Sequence, residues 1–432
     1  MKHILSILVL LLSGVIISQN IDAINKKHSI LLLNGIAHIG NGTVIQNSAV
    51  GFKDGKIILV ADATTIRINP AEYDTIINIS KKHVYPGFIA TNSTLGLTEI
   101  DAVRATNDIN EVGDVIPNIR TLIAYNTDSK ITPTIRTNGI LVAQICPRRG
   151  MLAGTSSVFL LDGWNWEDAV IKADEGLHLY FPHYPIEKTK DPKDNDEKKE
   201  AYIKRMAELK KFFADAKAYN ETSQKKEKNL RFESLKGIFG GTQKLYIHAD
   251  YAKDILNVIS FVNEFEIKQA VLVGGKDIWP VVQQFKESGM PLMLGRVHDL
   301  PLRTDDDIDL PFKLPSLLQK EGILFCLQNE GDMAEINVRN LPFLAGTAAA
   351  YGITKEEALQ SITLNAAKIT GLENILGSLE NNKQATLFVS SGDALDMKSN
   401  NVELAFFNGK AISLDNDQKT LYEKYMKKYG LK

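Results

Sequence analysis

The side chains of this chain that could do chemistry stand at the ends of apolar runs. His248 closes the run KLYIHA, His298 follows PLMLG within LGRVHDLP, and Asp332 follows ILFCLQ within FCLQNEGD. An imidazole or a carboxylate in such a place can bind a metal ion or transfer a proton. For His248 the alternative is a hydrogen-bonded histidine at a strand end. For Asp332, which follows a glycine, the alternative is a turn residue.

The sequence lacks the motifs or the net charge that several other functions require. The chain has no His-x-His and no Gly-x-Ser-x-Gly, and GGTQK lacks the spacing of a phosphate-binding loop. Its two cysteines, Cys146 and Cys326, exclude a disulfide framework, and both stand in apolar runs that predict buried, unpaired thiols. With 50 Lys+Arg against 52 Asp+Glu, the net charge of −2 excludes a strongly basic nucleic-acid binder.

The elements that must position these residues begin near Val84. Apolar runs such as GILVAQI, KLYIHA and QAVLVGG alternate with segments of helical periodicity over residues 84–375. Runs of Val, Ile and Leu are typical of parallel strands buried on both faces. The segment KDILNVISFVNEFEI predicts a helix between two such strands. The alternation predicts an α/β barrel or a doubly wound sheet.

Both ends of the chain carry β patterns instead. Residues 29–83 contain short apolar runs around Asp54-Gly55, and residues 376–415 contain runs around Asn408-Gly409, with a tail over 416–432. Both dipeptides suit two-residue hairpins. We therefore expect the two ends to pair into one small β domain beside the α/β core. The charge-dense stretch 187–236 predicts an amphipathic helix on a solvated excursion.

Residues 1–19 have the features of a secretory signal peptide. A short basic start, Met1-Lys2-His3, precedes an apolar run over residues 4–17 that is too short for a spanning helix. The expected mature protein is periplasmic or secreted and has no membrane segment after cleavage. The alternative is an uncleaved anchor.

The order of these units and several motifs resemble the amidohydrolase superfamily, especially its imidazolonepropionase-like branch. The motifs are NGIAHIGNGTVIQNSAVGFKDGKI, VYPGFIA, GTSSVFLLDGWNWEDAV, RNLPFLAGTAAAYGITKEEALQSITLNAAKITGL and LGSLENNKQATLFV. The resemblance covers nearly all of residues 29–412. It implies an α/β fold: a (β/α)8 TIM-type barrel over 84–375 with a small β-sandwich domain built from both chain ends.

The resemblance also implies a metal site, and this sequence departs from it. The first barrel strand of the family ends Pro-Gly-Phe-Ile-Asp-x-His-x-His, whereas here Ala90, Asn92 and Thr94 replace the aspartate and the two histidines. Gly274 stands where the sixth strand carries a histidine, and His248 retains the fifth-strand position. Neutral Asn and Thr oxygens are poor ligands for zinc.

The remaining expectations follow from these positions. Near the eighth strand, Asn329, Glu330 and Asp332 are candidates for the family's carboxylate, and Asp332 is the best positional match. His298 is a candidate for the pocket rim, and a non-standard site of His248, His298 and Asp332 stays open.

Two functions remain open at this point. One is hydrolysis of carbon–nitrogen bonds in amides or cyclic imides, for which the family uses zinc or another divalent metal. The other is a catalytically inactive binding or partner protein. We expect no bound metal and no nucleic acid, and we expect a small-molecule ligand. An active paralogue or a homo-oligomer is a possible partner.

Overall fold

The computed structural model describes residues 29–185, 192–222, 227–331 and 333–431. The predicted signal peptide, residues 1–19, lies outside the described residues, and so does Asp332. Within the described part, no helix combines the length and the apolar character needed to cross a bilayer.

Sixteen strands and thirteen α-helices make up the described chain. The strands are β1 Ser29–His38, β2 Val44–Lys53, β3 Lys56–Asp62, β4 Thr75–Asn78, β5 His83–Pro86, β6 Phe88–Ser93, β7 Ile140–Ile145, β8 Leu152–Leu160, β9 Val170–Tyr180, β10 Lys244–Ala249, β11 Ala270–Gly274, β12 Leu292–Leu294, β13 Phe325–Leu327, β14 Leu387–Ser390, β15 Val402–Phe407 and β16 Lys410–Ala411. The helices are α1 Thr132–Arg136, α2 Trp166–Ala169, α3 Pro192–Glu221, α4 Leu230–Glu233, α5 Lys236–Gly240, α6 Ala252–Glu264, α7 Val282–Ser288, α8 Leu310–Lys320, α9 Ala334–Asn337, α10 Leu341–Ala350, α11 Lys355–Ser361, α12 Leu364–Thr370 and α13 Asp417–Lys428.

The strands β6 to β13 form one eight-stranded sheet in chain order, which confirms the predicted barrel. Its strands carry the near-continuous apolar runs seen in the sequence, and every residue of β6, β7, β11, β12 and β13 is buried. The segment β10–α6–β11 forms the predicted strand–helix–strand unit with parallel strands. The predicted parallel order therefore holds over most of this sheet.

One barrel strand runs against the others. β8 pairs antiparallel with both β7 and β9, whereas the remaining neighbours in the sheet are parallel. A parallel crossover needs about a dozen residues or more, and residues 146–151, which join β7 to β8, are too few. The barrel therefore departs from the all-parallel arrangement at this one strand.

Side chains bring the first and last strands of the barrel together. Thr91 Oγ1 of β6 lies 3.5 Å from Cys326 Sγ of β13, and Asn92 Nδ2 donates to Gln328 Oε1 at 3.1 Å. Both cysteines are buried and free, as the sequence predicts. These contacts place the carboxyl ends of β6 and β13 side by side at one mouth of the barrel.

The second sheet takes its strands from both ends of the chain, as predicted. Its order is β16-β15-β14-β5-β1-β2-β3, with β4 also pairing with β1. The Asp54-Gly55 and Asn408-Gly409 turns both have positive φ, at 53° and 83° and at 47° and 76°. Positive φ at both central residues is the conformation of a type I′ hairpin, which explains the Asn or Asp followed by Gly.

The charged stretch after residue 187 contains the predicted helix, α3, but this helix is not wholly outside the core. Leu209, Phe213 and Ala216 on one side of α3 are completely buried. The Phe213 ring lies 4.9 Å from the Phe261 ring of α6. The apolar side of α3 therefore packs on the barrel, and the charged side of α3 faces solvent. The predicted tail over 416–432 contains the exposed helix α13.

Candidate functional site

The barrel mouth is formed where β6, β7, β9, β10, β11, β12 and β13 end, because these strands run in one direction. In such barrels the loops at the carboxyl ends of the strands carry the functional residues. The sequence-predicted positions Asn92, Thr94, His248 and Gly274 all lie in or directly after these strand ends. The structure therefore places all four at one end of the fold.

Asn92 sits in a special backbone conformation at the end of β6. Its φ is +50°, in the left-handed region that asparagine tolerates better than most residues. The side chain is 1% exposed, and the backbone N–H donates to Gln144 Oε1 at 3.0 Å. This conformation interrupts the regular alternation of β6 and lets both the side chain and the carbonyl of Asn92 meet one partner.

That partner is Arg148, which follows β7 by three residues. Its Nη1 donates to Asn92 Oδ1 at 2.5 Å, and its Nη2 donates to Asn92 O at 2.6 Å. Nη1 also lies 3.4 Å from the hydroxyl of Tyr180. A guanidinium carries its charge at all working pH values. A fixed cation therefore occupies the neighbourhood of the position where the resemblance implies a metal-binding histidine.

A cavity opens beside this cation. It has a volume of about 390 Å³, and its lining includes Thr94, Arg148, Tyr180, Asp101 and Glu335. Thr94 is 4% exposed, so it is shielded from bulk solvent although it lines the cavity. A cavity of this size can hold a small molecule.

His248 is held by a second histidine. Its Nε2 lies 2.9 Å from His178 Nδ1, and its ring stacks on Tyr180 at 4.1 Å between centroids. Burial, followed by His178 and the charge of Arg148, lowers the pKa of His248 well below its usual value. The imidazole is therefore neutral at pH 7, and its Nε2 is already engaged.

The sixth-strand position is filled from the neighbouring strand. Gly274 has φ +105°, and a Cβ at this residue would lie 2.5 Å from Asp250 Oδ1. The carboxyl group of Asp250, which follows β10, thus takes the space of the side chain that Gly274 lacks. Burial, with the charge of Glu330 adding to it, raises the pKa of Asp250 to about 6. Asp250 is therefore partly protonated near neutral pH.

A second carboxylate, Glu330, lies near Asp250 after β13. Lys276 Nζ lies 3.9 Å from Glu330 Oε1 and 3.0 Å from Asp299 Oδ2. Within the described ranges, Glu330 Oε1 is a buried atom that has no hydrogen-bond partner. Of the three eighth-strand candidates, Glu330 is thus shown at the mouth, whereas the position of Asp332 lies outside the described residues.

His298 makes its contacts elsewhere. Its Nε2 lies 2.6 Å from Thr347 Oγ1 of α10, and its ring is tilted at 6.1 Å from the ring of Phe312. The structure therefore does not bring it into contact with His248. Burial, with the charge of Arg296 adding to it, lowers the pKa of His298.

Beneath the mouth lies a buried polar network that the sequence analysis missed. Glu175 accepts hydrogen bonds from Gln144 Nε2 at 2.6 Å, Ser156 Oγ at 2.6 Å and the Tyr246 hydroxyl at 2.7 Å. Gln144 links this carboxyl group to Asn92. Burial raises the pKa of Glu175, and the three donors oppose that shift.

Sequence signals for the missed residues existed. Gln144 and Glu175 interrupt strand patterns, Arg148 is the first arginine of QICPRRG, and Asp250 directly follows KLYIHA.

The described donors do not fit the divalent metal that the resemblance implies. Asn92 Oδ1 is bonded to a guanidinium, His248 Nε2 faces His178, and Gly274 has no side chain. Over residues 29–185, 192–222, 227–331 and 333–431, no group of three or more His, Cys, Asp or Glu residues could hold a metal ion. The geometry therefore gives no basis for a step through a metal.

Comparison with known proteins adds family information for one part of the chain. Residues 312–412, from α8 to β16, match the amidohydrolase family. A search of curated proteins gave no match.

Solved structures resemble nearly the whole chain. An amidohydrolase from Thermotoga maritima MSB8 is 25% identical with a TM-score of 0.74, over 89% of this chain and 99% of that chain. An adenosine deaminase from Xanthomonas campestris with bound zinc is 13% identical with a TM-score of 0.54, over 91% and 96%. A molinate hydrolase is 12% identical with a TM-score of 0.53, over 90% and 95%. At 13% and 12% identity, the last two show a shared fold alone.

Proposed function

We propose that this chain, which carries an amidohydrolase-family domain on an amidohydrolase-type fold, binds a small molecule at its barrel mouth without the divalent metal of its family. Within the family we assign it to the imidazolonepropionase-like branch, on the motifs that its sequence shares with that branch. The proposal takes the second of the two functions that the sequence leaves open. The single observation that carries it is the guanidinium of Arg148 on Asn92.

The charge of Arg148 opposes a metal ion at this position. A zinc ion bound to Asn92 Oδ1 would lie about 2.0–2.2 Å from that oxygen, and Nη1 is 2.5 Å from the same atom. The dication would thus be no more than about 4.7 Å from Nη1. At an effective dielectric constant of about 20, the repulsion at that distance is about 7 kcal/mol. Arg148 would have to leave before a metal could bind.

The positive charge of Arg148 favours a negatively charged ligand. The mouth cavity of about 390 Å³ offers the charge of Arg148, the Tyr180 ring and the Thr94 hydroxyl. Guanidinium groups favour carboxylate oxygens. The ligand class that we propose is a small carboxylate. We also propose that the mature protein acts in the periplasm or is secreted, on the basis of residues 1–19.

A second candidate is hydrolysis of carbon–nitrogen bonds, the activity that the family resemblance implies. The specific observation that favours it is the raised pKa of Asp250 beside Glu330 at the same mouth. A carboxyl group that is partly protonated near neutral pH can donate a proton to a leaving group.

Two measurements on the full-length chain after removal of any signal peptide test the binding proposal. Elemental analysis should find well under one equivalent of zinc, manganese or iron. Thermal unfolding in the presence of succinate or phthalate should shift upwards. At about ten times the dissociation constant, the gain is about 1.4 kcal/mol. Succinamide and phthalamide are the matched neutral controls and should give no shift.

An Arg148→Met variant separates the charge from the cavity shape. It should lose the carboxylate-dependent shift, whereas a variant of an exposed arginine outside the cavity lining, Arg231→Met in α4, should keep it. One or two equivalents of tightly bound metal in the wild type would reject the proposal. So would equal shifts with the acids and the amides.

A further inference from the structure

We propose that the ligand of the mouth cavity is a small zwitterion, an amino acid whose carboxylate lies at Arg148 and whose ammonium lies at Glu335. The inference rests on the proposed function, because it concerns the same cavity, and it deepens that function by naming the second charge of the ligand. Binding of a carboxylate at Arg148 does not require an ammonium at Glu335, so the inference can fail while the proposed function stands.

The charged residues of the cavity lining balance one another. Arg148 and Arg149 supply two positive charges, and Asp101 and Glu335 supply two negative charges. Within the described part of the chain, none of the four forms an ion pair with another side chain. A ligand that carries only negative charge would bind the cations and leave both acids without a counter-charge. A ligand with one charge of each sign matches this lining better, because opposite charges attract most strongly away from bulk water.

Glu335 is the acid with the stronger need for a partner. It is the second residue of α9, and it is only 5% exposed. Its carboxyl has a hydrogen bond with its own backbone N–H, and no other residue in the described ranges bonds to it. Burial raises the pKa of Glu335, the backbone hydrogen bond opposes that shift, and the charge of Asp101 adds to it. Buried charges in proteins are normally paired, so an ammonium in the cavity would supply what this carboxylate lacks.

Arg148, which would bind the carboxylate, is held in place on the barrel. Its guanidinium is bonded to the side chain and the carbonyl of Asn92, and its backbone N–H donates to Ile109 O at 2.7 Å. Arg148 follows β7, whereas Glu335 lies in α9 beyond β13. The two side chains line one cavity, but within the described ranges they do not meet in an ion pair. A ligand between them can therefore contact both, and the distance between its own two charges decides how well it fits.

Uncharged residues also line the cavity. Thr94 and Thr98 are buried residues that carry hydroxyl groups, and Ile109, Met333 and Ala334 are apolar. Methylene groups of an amino acid can pack against the apolar residues, and a volume of about 390 Å³ leaves room for a side chain on the ligand. The cavity therefore combines a partner for each charge of the ligand with an apolar surface for its carbon chain.

The test is isothermal titration calorimetry at pH 7 on the full-length chain after removal of any signal peptide. The probes are 4-aminobutyrate, 5-aminopentanoate and L-phenylalanine, each compared with the carboxylate that lacks only the amino group: butyrate, pentanoate and 3-phenylpropionate. At least one amino acid should bind about tenfold more tightly than its matched carboxylate, or more, which corresponds to about 1.4 kcal/mol. Succinate should bind less tightly than that amino acid, because Glu335 would repel its second carboxylate.

A Glu335→Gln variant keeps the size of the side chain and removes its charge. It should abolish most of the preference for the amino acid, and it should leave the affinity for the matched carboxylate unchanged or higher. Glu167→Gln, at an exposed glutamate of α2, is the matched control and should keep the preference. Arg148→Met should lose binding of both ligands of the pair. Thermal unfolding of each variant checks that it is folded, and the comparison of ligands on the wild type needs no variant.

Four results would overturn the inference. The first is equal affinity of the wild type for each amino acid and its matched carboxylate, which would leave the proposed function standing. The second is a preference for the amino acid that persists in Glu335→Gln. The third is equally tight binding of the amine that lacks only the carboxylate, propylamine for 4-aminobutyrate or phenethylamine for L-phenylalanine. The fourth is no binding of any of these ligands, succinate included, and it would overturn the proposed function as well.

Discussion

Removal of the Arg148 guanidinium is the most direct perturbation of this mouth. Arg148→Met keeps much of the aliphatic length of the side chain and deletes the charged donors. Both oxygens of Asn92 then lose their partners, which now lie at 2.5 Å and 2.6 Å. A hydrogen bond from a charged donor contributes about 1.5–3 kcal/mol, and the variant recovers part of the cost of burying a cation. We expect a net loss of about 3–4 kcal/mol in the free energy of unfolding.

The assay is calorimetric or optical thermal unfolding at pH 7. With an unfolding entropy of about 2.1 cal/mol/K per residue, a chain of this length has about 0.9 kcal/mol/K in total. A loss of 3–4 kcal/mol therefore lowers the melting temperature by about 4 °C. Arg148→Lys keeps the charge but not the two-pronged geometry, so its shift should be intermediate.

Arg149→Met is the matched control, because Arg149 is the next residue, is exposed and makes no ion pair within the described ranges. It should change the free energy of unfolding by no more than about 0.5 kcal/mol. If Arg148→Met and Arg149→Met gave equal shifts, or if Arg148→Met were more stable than the wild type, the guanidinium would not hold Asn92 as described.

Three further outcomes follow from the same geometry. The double variant Asn92→His/Thr94→His should still bind well under one equivalent of zinc by elemental analysis. The Arg148 guanidinium would still be present, and Gly274 would still provide no ligand from the sixth strand. Near-stoichiometric zinc would contradict this. Gly274→Ala should lower the free energy of unfolding in urea by about 2–3 kcal/mol, because the new Cβ would lie 2.5 Å from a carboxyl oxygen and φ is +105°. Gly289→Ala is the control: its φ is +66° and no atom lies near the new Cβ, so it should lower the free energy of unfolding by only about 1 kcal/mol. Equal losses in the two variants would contradict the packing argument. Burial lowers the pKa of His178 well below its usual value, so below about pH 6.5 the unfolded chain binds more protons than the folded chain, and acid destabilises the fold. Between pH 6.5 and pH 5 the free energy of unfolding of the wild type should fall by about 2 kcal/mol more than that of His178→Phe. Parallel curves of unfolding free energy against pH would refute this.

Local signals were sufficient for much of the fold. The two hairpins follow from Asp54-Gly55 and Asn408-Gly409, since only a few residue types accept the positive φ of a type I′ turn. The strand–helix–strand unit around α6 follows from apolar periodicity. The direction of β8 was not readable in this way, because an apolar run has the same pattern in parallel and antiparallel pairing.

For the candidate site, too, the sequence supplied one part of the description and the tertiary structure supplied the other. The sequence alone determined that Asn, Thr and Gly stand at positions 92, 94 and 274, where the family resemblance implies imidazoles, since that is a matter of residue identity. Only the tertiary structure decided what fills the space. Arg148 is 56 residues from Asn92, and Asp250 reaches over Gly274 from another strand. Contacts between side chains on different strands depend on register and on the curvature of the barrel, which no local pattern in the chain encodes.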